Sequence, residues 1–165
     1  MGTLFRKNLA YLRPYHWVLE ALSALLGLAA VAVALVGRSK LPAEVPTHWD
    51  FQGNPDGYGS PTTFLLFPVI MLLAILMTSA IIHVVDVSHW NMPFQIKPGR
   101  KVPVARTFIA LLLAMNIEFG AFSLWFTLRT VQLNMEGTAG GIIAFVVALT
   151  VTLIAGIVLA TMRNR

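Results

Sequence analysis

Side chains with chemical capacity are concentrated in three places in a chain otherwise dominated by apolar residues. The densest is Pro46–Ser60, PTHWDFQGNPDGYGS, which gathers His48, Asp50 and Asp56 beside Trp49 and Tyr58. A histidine and two carboxylates are the raw material of an acid–base or metal site. Their spacing, H-x-D-x5-D, matches no established metal motif, and one short loop would have to close the site unaided. Turn-forming sequence also uses Asp and Asn for its own backbone hydrogen bonds. We therefore expect no metal here, with Asp56 capping a turn and His48 and Asp50 left to face a partner, a substrate or another loop.

The second place is Asn116 and Glu118, in LLLAMNIEFGAF, near the centre of an apolar run long enough to cross a bilayer. A carboxylate there costs roughly 2.5–3.5 kcal/mol, so it should face a bundle interior. Residues two apart stand about 200° apart on a helix, so Asn116 and Glu118 cannot share a face. Glu118 has two open readings: a proton or cation relay facing a substrate path, or a protonated carboxyl bonded to a neighbouring span. The third place is His83, Asp86 and His89, where Asp86 can reach either histidine on one helical face. A metal would need a further ligand such as Glu20; pairing with Arg100, Lys101 or Arg106 is the simpler expectation. No H-E-x-x-H, G-x-S-x-G or phosphate-binding loop is present, so no catalytic residue and no cofactor is expected.

The elements that must position these groups are read from composition. The 165 residues are 57% hydrophobic and 12% charged, against about 25% charged in a soluble domain. Four apolar runs, about residues 17–37, 63–85, 107–128 and 140–162, each approach the roughly 20 helical residues that span a bilayer. With nothing left to bury a second core, residues 1–165 form a single membrane domain. Ala32–Ala34 resembles a signal-peptide cleavage site, but the apolar run is longer than the usual roughly 7–15 residues. A true span is expected.

Nine of the twelve Lys and Arg flank one set of span ends (Arg6, Lys7, Arg13, Lys97, Arg100, Lys101, Arg106, Arg163 and Arg165). Only Arg38, Lys40 and Arg129 flank the other. The positive side is cytoplasmic, which puts both termini inside and the 38–62 loop outside. The +5 net charge marks topology rather than nucleic-acid binding. Tyr11, Tyr15, Trp17 and Trp90 fall at the inner interface, and Trp49, Tyr58 and Trp125 at the outer one. The expected fold is all-α: a four-transmembrane-helix bundle, up-down-up-down, with an ordered outward loop between the first two helices.

Within that loop, LPAEVP excludes regular helix, and Thr47–Phe51 suits a strand or an interfacial extended segment. Asn54, Pro55, Asp56 and Gly57 fit a type I turn, with Gly53 and Gly59 supplying backbone freedom. Ser60 and Pro61 read as the N-cap and first residue of the second span, and Pro68 as a kink near its outer end. On the fourth span Ala144, Ala148, Thr152, Gly156 and Ala160 form a small-residue ridge. It suits close packing within the bundle or, alternatively, a homodimer seam. The middle loop, KPGRK, could hold anionic membrane lipid or an acidic cytoplasmic regulator.

The stretch Leu41–Ser60, LPAEVPTHWDFQGNPDGYGS, resembles the signature of a bacterial membrane-protein family of unknown function. That family is similar to the SdpI-type immunity proteins against the sporulation-delaying toxin. His48, Gly53, Pro55, Asp56, Gly57, Tyr58 and Gly59 fall in register with it, whereas Asp50 replaces its usual Asn and Pro61 its usual Lys. The resemblance implies a multi-pass protein of the bacterial cytoplasmic membrane with an immunity or sensing role toward a toxic peptide or envelope ligand. In that reading Trp49, Asp50 and Tyr58 contact the partner, a toxic peptide or another membrane protein, and His48 and Asp56 hold the loop. The alternatives are a small transporter or channel using Glu118, and a metal-dependent membrane enzyme using the loop's His and Asp.

Overall fold

In a computed structural model, residues 7–50, 52, 54–134 and 136–165 are described. Four stretches are long and apolar enough to cross a membrane: Pro14–Lys40, Pro61–Val84, Lys101–Val131 and Thr138–Arg163. They correspond to the four expected spans, each extended at one or both ends. The first is helix α1 (Pro14–Gly37) followed by a 3-10 turn, Arg38–Lys40. Pro14 occupies its first turn, where a missing N–H costs nothing. His16 Nδ1 accepts the Arg13 amide at 3.0 Å and closes that end.

The loop that follows is a β-hairpin, with β1 (Val45–Trp49) antiparallel to β2 (Pro55–Gly59). The chain then re-enters the bundle at Ser60, whose hydroxyl accepts the Thr63 amide at 3.2 Å as an N-cap. Pro61 begins α2 (Pro61–Phe64), and a break at Leu65 separates it from α3 (Leu66–Val84). Where the kink is expected, the helical hydrogen-bond ladder is interrupted at Leu65, whose backbone itself stays helical. Pro68 has no N–H to give Phe64, and its ring crowds that carbonyl; the backbone instead tightens, with Leu65 N–H on Thr62 O at 3.2 Å. A connecting segment leads to α4 (Lys101–Val131), and a short turn through Gly137 leads to α5 (Thr138–Arg163).

The bundle is organised around α4, which packs on α1, α3 and α5. Its most extensive contact is with α1, and those two helices run parallel. His16 meets Arg106 at one end, Ser23 and Gly27 meet Gly120 in the middle, and Gly37 meets Val131 at the other end. The buried stripe of α1 is almost wholly small: Ser23, Gly27, Ala30, Ala34 and Gly37. Lipid is as apolar as leucine, so helices associate in it by close packing, which small residues permit. The large side chains of α1, such as Leu25, Leu28 and Val36, point outward.

The small ridge of α5 turns toward α4. Gly156 and Ala160 are buried, and a Cβ at Gly156 would lie 2.6 Å from the Leu111 side chain. Within the chain, then, the ridge serves α4–α5 contact. The hairpin is rooted by Val45, fully buried with Ala34 of α1 and Phe64 of α2.

These contacts separate two kinds of glycine. A Cβ at Gly120 would lie 2.8 Å from Leu26 Cβ and 3.1 Å from the Ser23 carbonyl, whereas a Cβ at Gly140 meets nothing within 4 Å among the described residues. Gly120→Ala should destabilise the bundle by about 1–3 kcal/mol through overpacking. Gly140→Ala should leave stability unchanged or raise it by about 0.5–1 kcal/mol. Unfolding titrations of the two variants in lipid–detergent mixtures check this.

Candidate functional site

The hairpin has two unlike faces. His48, Asp56 and Tyr58 are exposed on one, while Val45 and Trp49 turn toward the helices on the other. His48 Nδ1 and Asp56 Oδ1 pair across the strands at 2.5 Å. Gly57 lies opposite His48, where a Cβ would approach the His48 Cβ at 2.9 Å. Only glycine lets the two strands close there.

This corrects the turn expected at Asn54–Gly57. Pro55, Asp56 and Gly57 belong to β2, and the reversal lies before them. Asp50 accepts the Asn54 amide at 2.8 Å and the Asn54 side chain at 3.3 Å, and its own amide bonds to Asn54 O at 2.9 Å. Asp50 is therefore the residue that ties the turn, and Asp56 is the cross-strand partner of His48. Gly59 lies in β2 without a positive φ; Phe51 and Gly53 fall outside the described residues.

Beneath the hairpin lies a cavity of about 550 Å3 between α3, α4 and α5. Trp49, Phe64, Phe67, Phe122, Phe126 and Phe145 line it. Trp49 meets Phe126 edge-on at 4.9 Å, and Phe122 stacks on Phe145 at 4.2 Å. The Trp49 indole nitrogen is buried and has no hydrogen-bond partner among the described residues. Ile70 of α3 and Val146 of α5 also border the cavity and are both more than half exposed, so it opens sideways between those helices. The size falls within the roughly 300–1,000 Å3 of small-molecule pockets, and the wall is largely apolar, as such sites commonly are.

Asn116 and Glu118 sit on different faces of α4, as their spacing requires. Asn116 is buried and donates to Ile75 O of α3 at 3.3 Å. Glu118 Oε1 accepts the Thr152 hydroxyl of α5 at 2.5 Å, and Oε2 is buried without a partner among the described residues. Both residues tie α4 to neighbours.

The His83, Asp86 and His89 group is dispersed. His83 Nε2 lies 3.0 Å from both oxygens of Glu20, with Trp17 stacked on its ring. Asp86 caps a 3-10 turn, Val87–His89, and lies 3.9 Å from Lys101. Hydrogen bonds from the Ser88 hydroxyl and then the Ser88 amide hold its carboxyl below the usual carboxylate range. Among the described residues no three His, Asp or Glu side chains gather closely enough to hold a metal ion.

Several organising residues carry no sequence signal as motifs. Asn8, 1% exposed, donates to Ile82 O and Val85 O and accepts the Val87 amide, closing the end of α3. Asn164 accepts the Lys97 amide and donates to Gln95 O. The two chain ends thereby pin the connection between α3 and α4. His16 Nδ1 accepts an N–H, so its proton is assigned to Nε2, which donates to Arg106 O at 3.2 Å. The available signal was general: orphan carbonyls at a helix end must find donors.

A family described as a domain of unknown function (DUF1648) matches residues 25–72. The matched stretch runs from mid-α1 through the hairpin into α3. No curated protein and no solved structure matches the chain.

The two hairpin carboxylates should respond differently to removal. Asp50→Ala leaves the Asn54 amide without its acceptor and should cost about 1 kcal/mol of local stability, read as faster hydrogen exchange across the turn. Asp56→Ala breaks an exposed pair worth less than about 1 kcal/mol and should leave turn exchange unchanged.

Proposed function

We propose that this is a non-enzymatic membrane receptor whose hairpin and cavity together accept an apolar segment of a peptide, in an immunity or sensing role. The observation that carries the reading is the aromatic cavity roofed by Trp49 and open sideways between α3 and α5. An apolar segment could reach it from within the bilayer. The rings of Trp49, Phe67, Phe122 and Phe126 would pack against such a segment. Support for a toxic peptide or envelope ligand comes from the likeness of Leu41–Ser60 to the immunity-protein signature. The distribution of Lys and Arg supports an outward hairpin, cytoplasmic termini and the bacterial cytoplasmic membrane as location.

In this reading Trp49 is the buried anchor and Tyr58, 61% exposed, the outer contact. Asp50 shapes the turn rather than meeting the ligand directly. Glu118 serves the α4–α5 contact through Thr152, which favours a packing role over a relay.

The test uses the full chain in lipid nanodiscs and a dansyl-labelled apolar helical peptide. Saturable binding is expected, and Trp49→Ala should weaken it by at least about tenfold, as loss of a buried aromatic anchor does. Circular dichroism should show the helices intact. Non-saturable partitioning, or equal affinity in the variant, contradicts the proposal.

A further inference from the structure

A second groove lies at the opposite end of the molecule, between α4 and α5, and encloses about 460 Å3. Its walls are mostly apolar: Ala110, Leu111 and Ala114 on α4, Ala155, Gly156 and Leu159 on α5. Arg163 and Tyr15 stand at its mouth, and Thr152 at its inner limit. From Arg163 to Thr152 is about three helical turns, or roughly 16 Å. Thr152 has its hydroxyl committed to Glu118, so even the inner limit presents no free donor. A largely apolar groove of that length suits a single acyl chain.

The mouth carries charge without a counterion. Arg163 Nη1 donates to the Thr107 hydroxyl at 3.0 Å, which fixes the arm, and the guanidinium meets no carboxylate among the described residues. Arg106, next to Thr107, donates to the neutral carbonyls of Tyr11 and Ala10. The carboxylates at this end are already engaged: Glu20 with His83, and Asp86 with Ser88 and Lys101. Lys97 and Arg100 add further positive charge on the adjoining connection. A guanidinium with free N–H groups is a strong phosphate ligand, and basic residues at a membrane surface attract anionic lipid.

We propose that this groove holds one anionic phospholipid, its phosphate on Arg163 and the Tyr15 hydroxyl and one acyl chain along Ala110, Ala114 and Ala155. The uncompensated charge selects an anionic over a zwitterionic headgroup, and the trough selects a lipid over a soluble anion. Bound there, the lipid would fill the open side of the α4–α5 contact.

The experiment is native mass spectrometry of the full chain, reconstituted in phosphatidylcholine with a minor share of phosphatidylglycerol and released into mild detergent. Phosphatidylglycerol should be retained in preference to phosphatidylcholine, at one per chain. Arg163→Gln should lower that retention about fivefold, the equivalent of ~1 kcal/mol for one basic residue. Ala155→Phe, at an exposed position, fills the trough without changing charge and should also release the lipid. Retention unchanged in Arg163→Gln overturns the headgroup assignment. Loss in Arg163→Gln with full retention in Ala155→Phe overturns the groove, leaving only surface attraction. Circular dichroism on both variants confirms that the bundle persists.

Discussion

Everything else in this molecule depends on the close approach of two parallel helices, α1 and α4. In a bilayer no solvent drives apolar surfaces together, so contact has to come from packing and from polar groups at the ends. Ser23, Gly27, Ala30, Ala34 and Gly37 give α1 a flat face, and Gly120 gives α4 the matching gap. At one end that seam is closed by His16 on the Arg106 carbonyl. At the other, Ala34 continues into the cluster with Val45 and Phe64 that roots the hairpin. The position of the hairpin is therefore a consequence of the helix seam.

With one face of α4 taken by α1, its remaining faces go to α3, through Asn116 and Ile75, and to α5, through Glu118 and Thr152. The helices α3 and α5 consequently flank α4 on different sides. The space left between them under the hairpin is lined with phenylalanine rings and covered by Trp49. The proposed binding role rests on that geometry: a hairpin tied by Asp50 and closed by Gly57 holds the Trp49 ring over an apolar space bordered by exposed residues of α3 and α5. At the opposite end Asn8 and Asn164 pin the connection between α3 and α4, so the basic surface there is held in place as well.

The parts of this arrangement legible in the sequence are those set by local physics. Run length gave the four helices, and the Ser60–Pro61 pair located the start of α2. Angular spacing put Asn116 and Glu118 on different faces. What escaped was set by distant contacts. Asn54-Pro55-Asp56-Gly57 has strong turn chemistry, yet Pro55–Gly59 is a strand because His48 and Gly57 pair across the hairpin. The small residues of α1 lie among leucines and valines, so the seam shows only when Gly120 is seen against it. Asn8 lies too far from Ile82 and Val85 in sequence to announce that it closes their carbonyls. The dispersal of His83, Asp86 and His89 has the same origin, since Glu20 on α1 claims His83.

The most direct test of this account is the fluorescence of Trp49 alone, with Trp17, Trp90 and Trp125 replaced by Phe, in lipid nanodiscs. An indole roofing an apolar cavity open to the bilayer should emit at short wavelength, be quenched by brominated lipid and be shielded from aqueous iodide. It should shift further when an apolar peptide is added. Long-wavelength emission quenched by iodide and untouched by brominated lipid would mean that the hairpin stands in water, and would contradict the account.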